Sequence, residues 1–438
     1  MTEEDRDERP LGGATSCMRP AELMMTKIAH LALRDVPLIR ALFDVPSSSR
    51  KVKAVVDLPV YDQQRTGACW MYAGMAYVAA MMIRQADARK REEEDADVED
   101  VEGDGEKRPT TPPHFDMCQL YRGHLHLLVD ACVDRYQSAR REGHPEGEGW
   151  LRHWADEGVS DGGTWGMFCR LVDGDGIPTM KFATDEWPYS SQHSSDMLSY
   201  LSAQMRSEVT KEDMWDVVDR CLGPAARHHD SPSIRIQPGL AESTIQLLNA
   251  PNKEYGKWYS SPYTNDASFL TQDPAYNVHV DDLIRACRNA IRRGECVWAS
   301  FALDLDFDRS RNAAGAAPSN VLPPVHRGTK AERMERRDIR PVHAMLIVGW
   351  ADDPPRWRIH NSWGKRRTNK AYDDEFSNAD KGREYHDVLA TDEWLRMNMF
   401  HAVMSKDACH EVLTFSSTSA LEDVIVLPHH DILSTVMA

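Results

Sequence analysis

A chain of 438 residues is long enough for roughly two or three ordinary domains, or for one large enzyme domain with insertions. It holds no apolar run of about eighteen residues, the length of a membrane span, and residues 1–30 are too acidic and polar for a secretory leader. The nine cysteines are scattered without a Cys-x-x-Cys pair. This pattern indicates reduced thiols in a cytoplasmic protein and argues against a disulfide framework or a structural zinc site.

The charge is concentrated in one short tract. The net charge is −17 at pH 7, but ten acidic residues fall within residues 92–106, and the remainder of the chain carries −7. A surface with that balance repels a phosphate backbone at long range. Nucleic acid is therefore not an expected partner.

The first half of the chain is predicted to be mainly helical. We assign residues 1–50 as an N-terminal extension, since they hold one short apolar-periodic segment and little else. From Ala68, the sequence ACWMYAGMAYVAAMMIRQ predicts a helix that is apolar all round and hence buried. Residues 87–112 are too charged and too rich in Pro and Gly to bury anything, which predicts a disordered acidic insertion.

Further helices are predicted after this insertion. FDMCQLYRGHLHLLVDACVDRYQSA has helical spacing, and SDGGTWGMFCRLV indicates a turn followed by a short helix. We expect residues 196–293 to form a helical insertion. Within it, Thr210 and Asp213 are placed as a capping box, and VDDLIRACRNAIRRG has one apolar face.

Strand patterns prevail in the second half. CVWASFAL, VHAMLIVGW and RWRIHNSW read as strands within residues 294–415, and residues 416–438 form a C-terminal tail. Helices first and strands later predict an α+β fold.

Cys69 has neighbours that suit a nucleophile. It lies at the first turn of the buried helix, where unpaired N–H groups and the helix dipole are expected to stabilise a thiolate. Gly67 lets the chain turn tightly and exposes backbone N–H groups. Gln63 is close enough in sequence to bring a side-chain amide to the same point.

The partner groups must come from the strand region. His343 opens one strand, and side-chain alternation along the next points Asn361 into the protein. If these strands pair, Asn361 accepts a hydrogen bond from one imidazole nitrogen while the other nitrogen faces Cys69. Trp363 is expected to shield that hydrogen bond from water.

These motifs resemble those of papain-like cysteine peptidases: Gln63, Gly67, Cys69 and Trp70, then His343, then the NSWG that begins at Asn361. The resemblance implies that Cys69 is the nucleophile and His343 the base and later the acid. It also implies that Asn361 orients the imidazole and that Gln63 donates to the oxyanion.

Within that superfamily, the chain is more similar to the bleomycin hydrolase and aminopeptidase C branch. The similarity rests on the doubled Gln63-Gln64, the turn Asp161-Gly162-Gly163-Thr164-Trp165, the step from Thr391 to Trp394 and the ending VIVLPHHDILSTVMA. It runs from about residue 50 to the last residue. It implies a papain-like fold with a helical left lobe over residues 51–195, a β-barrel-like right lobe over residues 294–415, and a tail that folds into the active-site cleft.

The resemblance also implies how substrate is read. A carboxylate at Ala438 would pair with the α-amine of a peptide, so that residues leave one at a time from the N-terminus. Gly162 and Gly163 would offer backbone groups to the substrate strand. A homohexamer is implied, and no cofactor or metal is expected, because His429, His430 and Asp431 have no second ligand cluster.

The sequence departs from the branch at three places. Arg65 stands where a small polar residue is usual, His360 replaces an acidic residue, and the loop at 365–386 is expanded. Two alternatives stay open at this point. One is an endopeptidase whose tail is displaced by the expanded loop, and the other is an inactive or moonlighting chambered binding protein.

Overall fold

The structure is a computed structural model. It describes residues 54–56, 58–59, 61–63, 66–96, 114–141, 161–180, 191–204, 210–222, 233–260, 274–302, 329–335, 342–352, 355–362, 387–413 and 424–426. The predicted extension at 1–50 and the end of the tail, residues 427–438, lie outside these ranges.

The described residues form helices α1 (Cys69–Ala96), α2 (Met117–Arg141), α3 (Trp165–Asp175), α4 (Ser191–Gln204), α5 (Lys211–Leu222), α6 (Leu240–Ser243), α7 (Val280–Arg292), α8 (Lys330–Glu335), α9 (Asp392–Asn398) and α10 (Lys406–His410). The strands are β1 (His114–Phe115), β2 (Ile177–Met180), β3 (Ser233–Ile234), β4 (Thr244–Leu248), β5 (Trp258–Ser260), β6 (Ala275–Asn277), β7 (Val297–Ala302), β8 (Val342–Asp352), β9 (Pro355–His360), β10 (Asp387–Thr391), β11 (Met399–Ser405) and β12 (Ile425–Val426).

Helix α1 is buried in its first half, as the sequence predicts, and it is longer than predicted. Residues 69–80 are buried, whereas residues 84–92 are exposed. The helix ends at Ala96, so the prediction of disorder is wrong for residues 87–96. That stretch is rich in Ala, Arg, Lys and Glu, which are good helix formers, and extending an existing helix carries no nucleation cost. No helix in the described part of the chain is both long and apolar enough to span a membrane.

Nine of the described strands form one sheet in the order β10-β9-β8-β7-β11-β4-β6-β5-β12. Strand β8 lies inside this sheet, and its side chains alternate between two cores. Ala344 and Leu346 pack in the core built on α1, whereas Met345 and Ile347 pack in the core built on α7. The sheet therefore separates α1 from α7, and the α+β prediction is confirmed.

Part of the predicted helical insertion belongs to the sheet. Residues 196–293 contain β4, β5 and β6, and β4 pairs antiparallel with β11 near the centre of the sheet. The sequence of β4, TIQLL, is a short run whose residues are all buried, and periodicity does not separate such a strand from a buried helical turn. The helical assignment is thus correct for α4, α5 and α7 and wrong for these strands.

The capping box predicted at the start of α5 is confirmed. Thr210 and Asp213 exchange the hydrogen bonds of a capping box at the start of α5. Thr164 caps α3 with its side chain, and Thr391 does the same for α9.

Candidate active site

Cys69 is the first residue of α1, and a buried carboxylate holds the loop that leads to it. The backbone N–H of Gly67 donates to Asp161 Oδ2 at 2.6 Å, and the Trp70 indole donates to the Asp161 carbonyl oxygen at 3.0 Å. The Tyr121 hydroxyl donates to the same carboxylate oxygen at 2.9 Å. Asp161 therefore holds the backbone just before Cys69 and the side chain just after it.

The thiol of Cys69 is buried, and this burial outweighs the helix N-terminus. Burial raises the pKa of Cys69 to about 11, and the charge of Asp161 acts in the same direction. The backbone N–H groups of Ala344 and Trp70 lower this pKa in part. The N–H groups at the helix N-terminus favour the thiolate as expected, but burial outweighs them, so a base must take the thiol proton.

His343 and Asn361 are joined by the hydrogen bond that the strand patterns predict. The distance from His343 Nε2 to Asn361 Oδ1 is 2.9 Å, and both residues are buried. Asn361 Oδ1 also accepts the backbone N–H of Ser362 at 2.8 Å. An amide oxygen only accepts, so Nε2 carries the proton and the lone pair of the neutral ring lies on Nδ1.

The protonation state of His343 suits a base. Burial lowers the pKa of His343 to about 4, and the hydrogen bond to Asn361 opposes this shift in part. The ring is therefore neutral at pH 7. The next residue, Ala344, directs its backbone N–H at the Cys69 sulfur, so β8 begins beside the thiol.

Gln63 is buried and tied to the residue that follows Asn361. Its Nε2 donates to the Thr66 carbonyl oxygen at 2.8 Å, and its Oε1 accepts the Ser362 hydroxyl at 2.5 Å. Its backbone N–H donates to the Ser362 carbonyl oxygen at 2.8 Å. The Gln63 amide thus lies on the loop before Cys69 and contacts the strand end that carries Asn361.

The two glycines of the predicted substrate strand lie next to Asp161. A Cβ at Gly163 would lie 2.4 Å from the Trp70 ring, so no side chain fits there. Gly162 is partly buried. Since Trp70 follows Cys69 directly, this contact brings the glycine turn against the start of α1.

The remaining positions named from the sequence either have contacts outside the group around Cys69 or lie outside the described residues. His360 Nε2 hydrogen-bonds the Pro59 carbonyl oxygen at 3.1 Å. Gln64, Arg65, Trp363 and Ala438 lie outside the described residues. Within the described ranges, no group of three or more His, Cys, Asp or Glu side chains is arranged to hold a metal ion.

Two further residues lie within the sequence motifs, but no catalytic or binding role was predicted for them. Asp161 opens the glycine turn, and Ser362 is the second residue of NSWG. Their contacts cross 94 residues to Gly67 and 299 residues to Gln63. The sequence signal that could have identified them is a short polar residue directly beside the glycine or the asparagine of a motif.

The chain is similar to known proteins over most of its length. A family model described as Peptidase C1-like matches residues 240–434. Aminopeptidase C of Listeria innocua is 22% identical, with 84% of this chain and 86% of that protein covered. Bleomycin hydrolase of Rattus norvegicus is 22% identical, with 85% of each covered. These matches identify the chain as a cysteine peptidase.

The fold of this peptidase has a solved counterpart. The crystal structure of PepW from Lactobacillus rhamnosis HN001 matches with a TM-score of 0.61 and 15% identity, covering 94% of each chain. Coverage of another relative is smaller. Aminopeptidase C of Lactobacillus delbrueckii is 23% identical, but the match spans 56% of this chain and 62% of that protein, less than two thirds of its length.

Proposed function

We propose that this peptidase is a cysteine aminopeptidase that hydrolyses N-terminal residues from peptides. The observation that carries the proposal is the hydrogen bond from His343 to Asn361, on a strand that begins beside Cys69. The relatives named aminopeptidase C and bleomycin hydrolase support the same activity class.

The roles follow from the chemistry of each group. Nδ1 of His343 takes the thiol proton while the Cys69 sulfur bonds to the substrate carbonyl carbon. A Gln63 amide N–H and the Cys69 backbone N–H stabilise the oxyanion. The oxyanion collapses as the C–N bond breaks, and His343 returns the proton to the leaving amine. Water then hydrolyses the thioester and restores the thiol.

Asn361 would act through His343. Its Oδ1 fixes the Nε2–H tautomer and keeps Nδ1 aimed at the thiol, which is the orienting role of a third group in a triad. Trp363 would cover this hydrogen bond, and Gly162 and Gly163 would bind the substrate backbone.

The exopeptidase character belongs to the same proposal. The tail enters the cleft between a helical and a barrel-like lobe, and the Ala438 carboxylate pairs with the substrate α-amine. A cytoplasmic location and a homohexamer are proposed on the resemblance alone.

Fluorogenic aminoacyl amides and their N-acetylated forms test the specificity. Pairing between a carboxylate and a free α-amine should make kcat/KM at least about 10-fold higher for the free amine, as expected for one charge-assisted hydrogen bond lost together with its partner. Equal cleavage of both forms would point to an endopeptidase and contradict the aminopeptidase proposal.

Removal of residues 435–438 tests the tail separately. Without its carboxylate and bulk, cleavage of the N-acetylated amides and of internal peptide bonds should rise, while the free-amine preference falls. A truncated protein with the substrate preference of the full chain would exclude the proposed role of Ala438.

A further inference from the structure

Ser362 uses all of its polar groups on the candidate catalytic residues. Its backbone N–H donates to Asn361 Oδ1 at 2.8 Å, and its carbonyl oxygen accepts the Gln63 backbone N–H at 2.8 Å. Its hydroxyl donates to Gln63 Oε1 at 2.5 Å. With 5% of its surface exposed, Ser362 makes these contacts inside the protein.

The hydroxyl contact helps to set which way the Gln63 amide faces. A side-chain amide has one acceptor end and one donor end, and rotation by about 180° exchanges them. The Ser362 hydroxyl donates to Oε1, and the Thr66 carbonyl oxygen accepts from Nε2. Both contacts favour the same orientation. The donor end of Gln63 therefore points away from Ser362.

The backbone contact acts on Asn361 in the same manner. The Ser362 N–H holds the Oδ1 end of that amide toward His343, since reversal would set two N–H donors against each other. One residue thus orients the acceptor for the imidazole with its N–H and the oxyanion donor with its O–H.

We propose that Ser362 is a positioning residue whose hydroxyl orients the Gln63 amide for oxyanion binding. This inference rests on the proposed function, because it assumes that Gln63 donates to the oxyanion formed at Cys69. It adds a residue on the Asn361 side of the site that controls the donor on the Cys69 side.

Ser362→Ala removes the hydroxyl and leaves the backbone contacts in place. The Gln63 amide is then held by the Thr66 contact alone and populates the reversed orientation more often, so kcat should fall by about 10- to 50-fold, with KM changed less than about 2-fold. The fall is confined to kcat because the oxyanion exists only after attack. Ser362→Thr keeps a hydroxyl and should restore at least half of the activity.

A double-mutant cycle separates this role from a general loss of packing. In a Gln63→Ala background the hydroxyl has no amide to orient, so Ser362→Ala should change kcat by less than about 2-fold. Equal decreases in both backgrounds would overturn the proposal. Ser362→Cys, which keeps the shape and donates weakly, makes the same test if the alanine variant does not fold.

Ser300→Ala is the matched control. Ser300 is a buried serine on β7, paired with Ala344 across the strands, and its hydroxyl has no hydrogen-bond partner among the described residues. Its loss should leave kcat within about 2-fold of the wild type. A decrease as large as that of Ser362→Ala would show that any buried serine near the thiol has this effect, which would overturn the proposal.

Binding of an aminoacyl aldehyde distinguishes a failure of the positioning role of Ser362 from a failure of the proposed function. The Cys69 sulfur adds to the aldehyde carbon and the thiol proton passes to the aldehyde oxygen, so the adduct places that oxygen where the oxyanion would lie. Calorimetry with leucinal should show at least about 5-fold weaker binding by Ser362→Ala. Equal binding would overturn the positioning role alone. No binding by the wild type would overturn the proposed function and this inference with it.

Discussion

Replacing Cys69 with alanine is expected to lower kcat/KM for aminoacyl amides by at least about 10⁴-fold. Without sulfur no thioester forms, and His343 is left with no proton to take. Any residual rate would come from substrate binding and oxyanion donors, which together give only a small part of such catalysis. Steady-state assays should run beside circular dichroism, because the small change at a buried position should leave the fold intact.

Cys169→Ala is the matched control for this variant. Cys169 lies in α3, is 1% exposed and packs in the same core as α1. Its truncation carries a similar cavity cost, yet kcat/KM should stay within about 3-fold of the wild type. More than about 1% residual activity in Cys69→Ala would show that the nucleophile is another group, and a comparable loss in Cys169→Ala would show that truncation of any buried cysteine in this core has the effect.

Acid is expected to destabilise the fold between pH 6.5 and about 4. Burial lowers the pKa of His343 and His401 to about 4 and that of His124 to about 3. The unfolded chain, with an ordinary pKa of about 6.5, binds more protons than the native state in this window. The free energy of unfolding therefore rises with pH there, by up to about 1.4 kcal/mol per pH unit for each histidine. The raised pKa of buried Asp161 acts in the opposite direction and offsets part of the slope.

Urea unfolding at a series of pH values measures this slope. His401→Gln removes one buried histidine that faces Trp298, outside the candidate catalytic groups, and should reduce the slope by about 1 kcal/mol per pH unit. An unaltered slope in His401→Gln would mean that His401 is already protonated in the native state near pH 5.

The start of α1 and the strands that hold His343 and Asn361 could be predicted because their signals are local. A long apolar run marks the helix, a short apolar run marks β8, and after turn residues an alternating polar and apolar segment marks β9. The pairing of His343 with Asn361 then follows from side-chain alternation and antiparallel neighbours.

Other features could not be predicted, since they depend on distant residues or on burial. Strand β4 was missed because five buried residues fit a strand or a helix equally well. The pKa of Cys69 was expected to fall, but it rises, because enclosure by the assembled fold disfavours the thiolate more than the helix N-terminus favours it. The contacts of Asp161 and Ser362 likewise arise only when segments far apart in sequence come together.

The hydrogen bonds between Gln63 and Ser362 span 299 residues, and this separation bears on how the protein is made. Gln63 and Cys69 emerge from the ribosome early, when His343, the proposed base for the thiol, has not been synthesised. The growing chain therefore lacks this base until His343, Asn361 and Ser362 have emerged and folded onto α1. If the proposed function is correct, synthesis from the N-terminus therefore delays peptidase activity until the segment that contains His343 and Ser362 has been made.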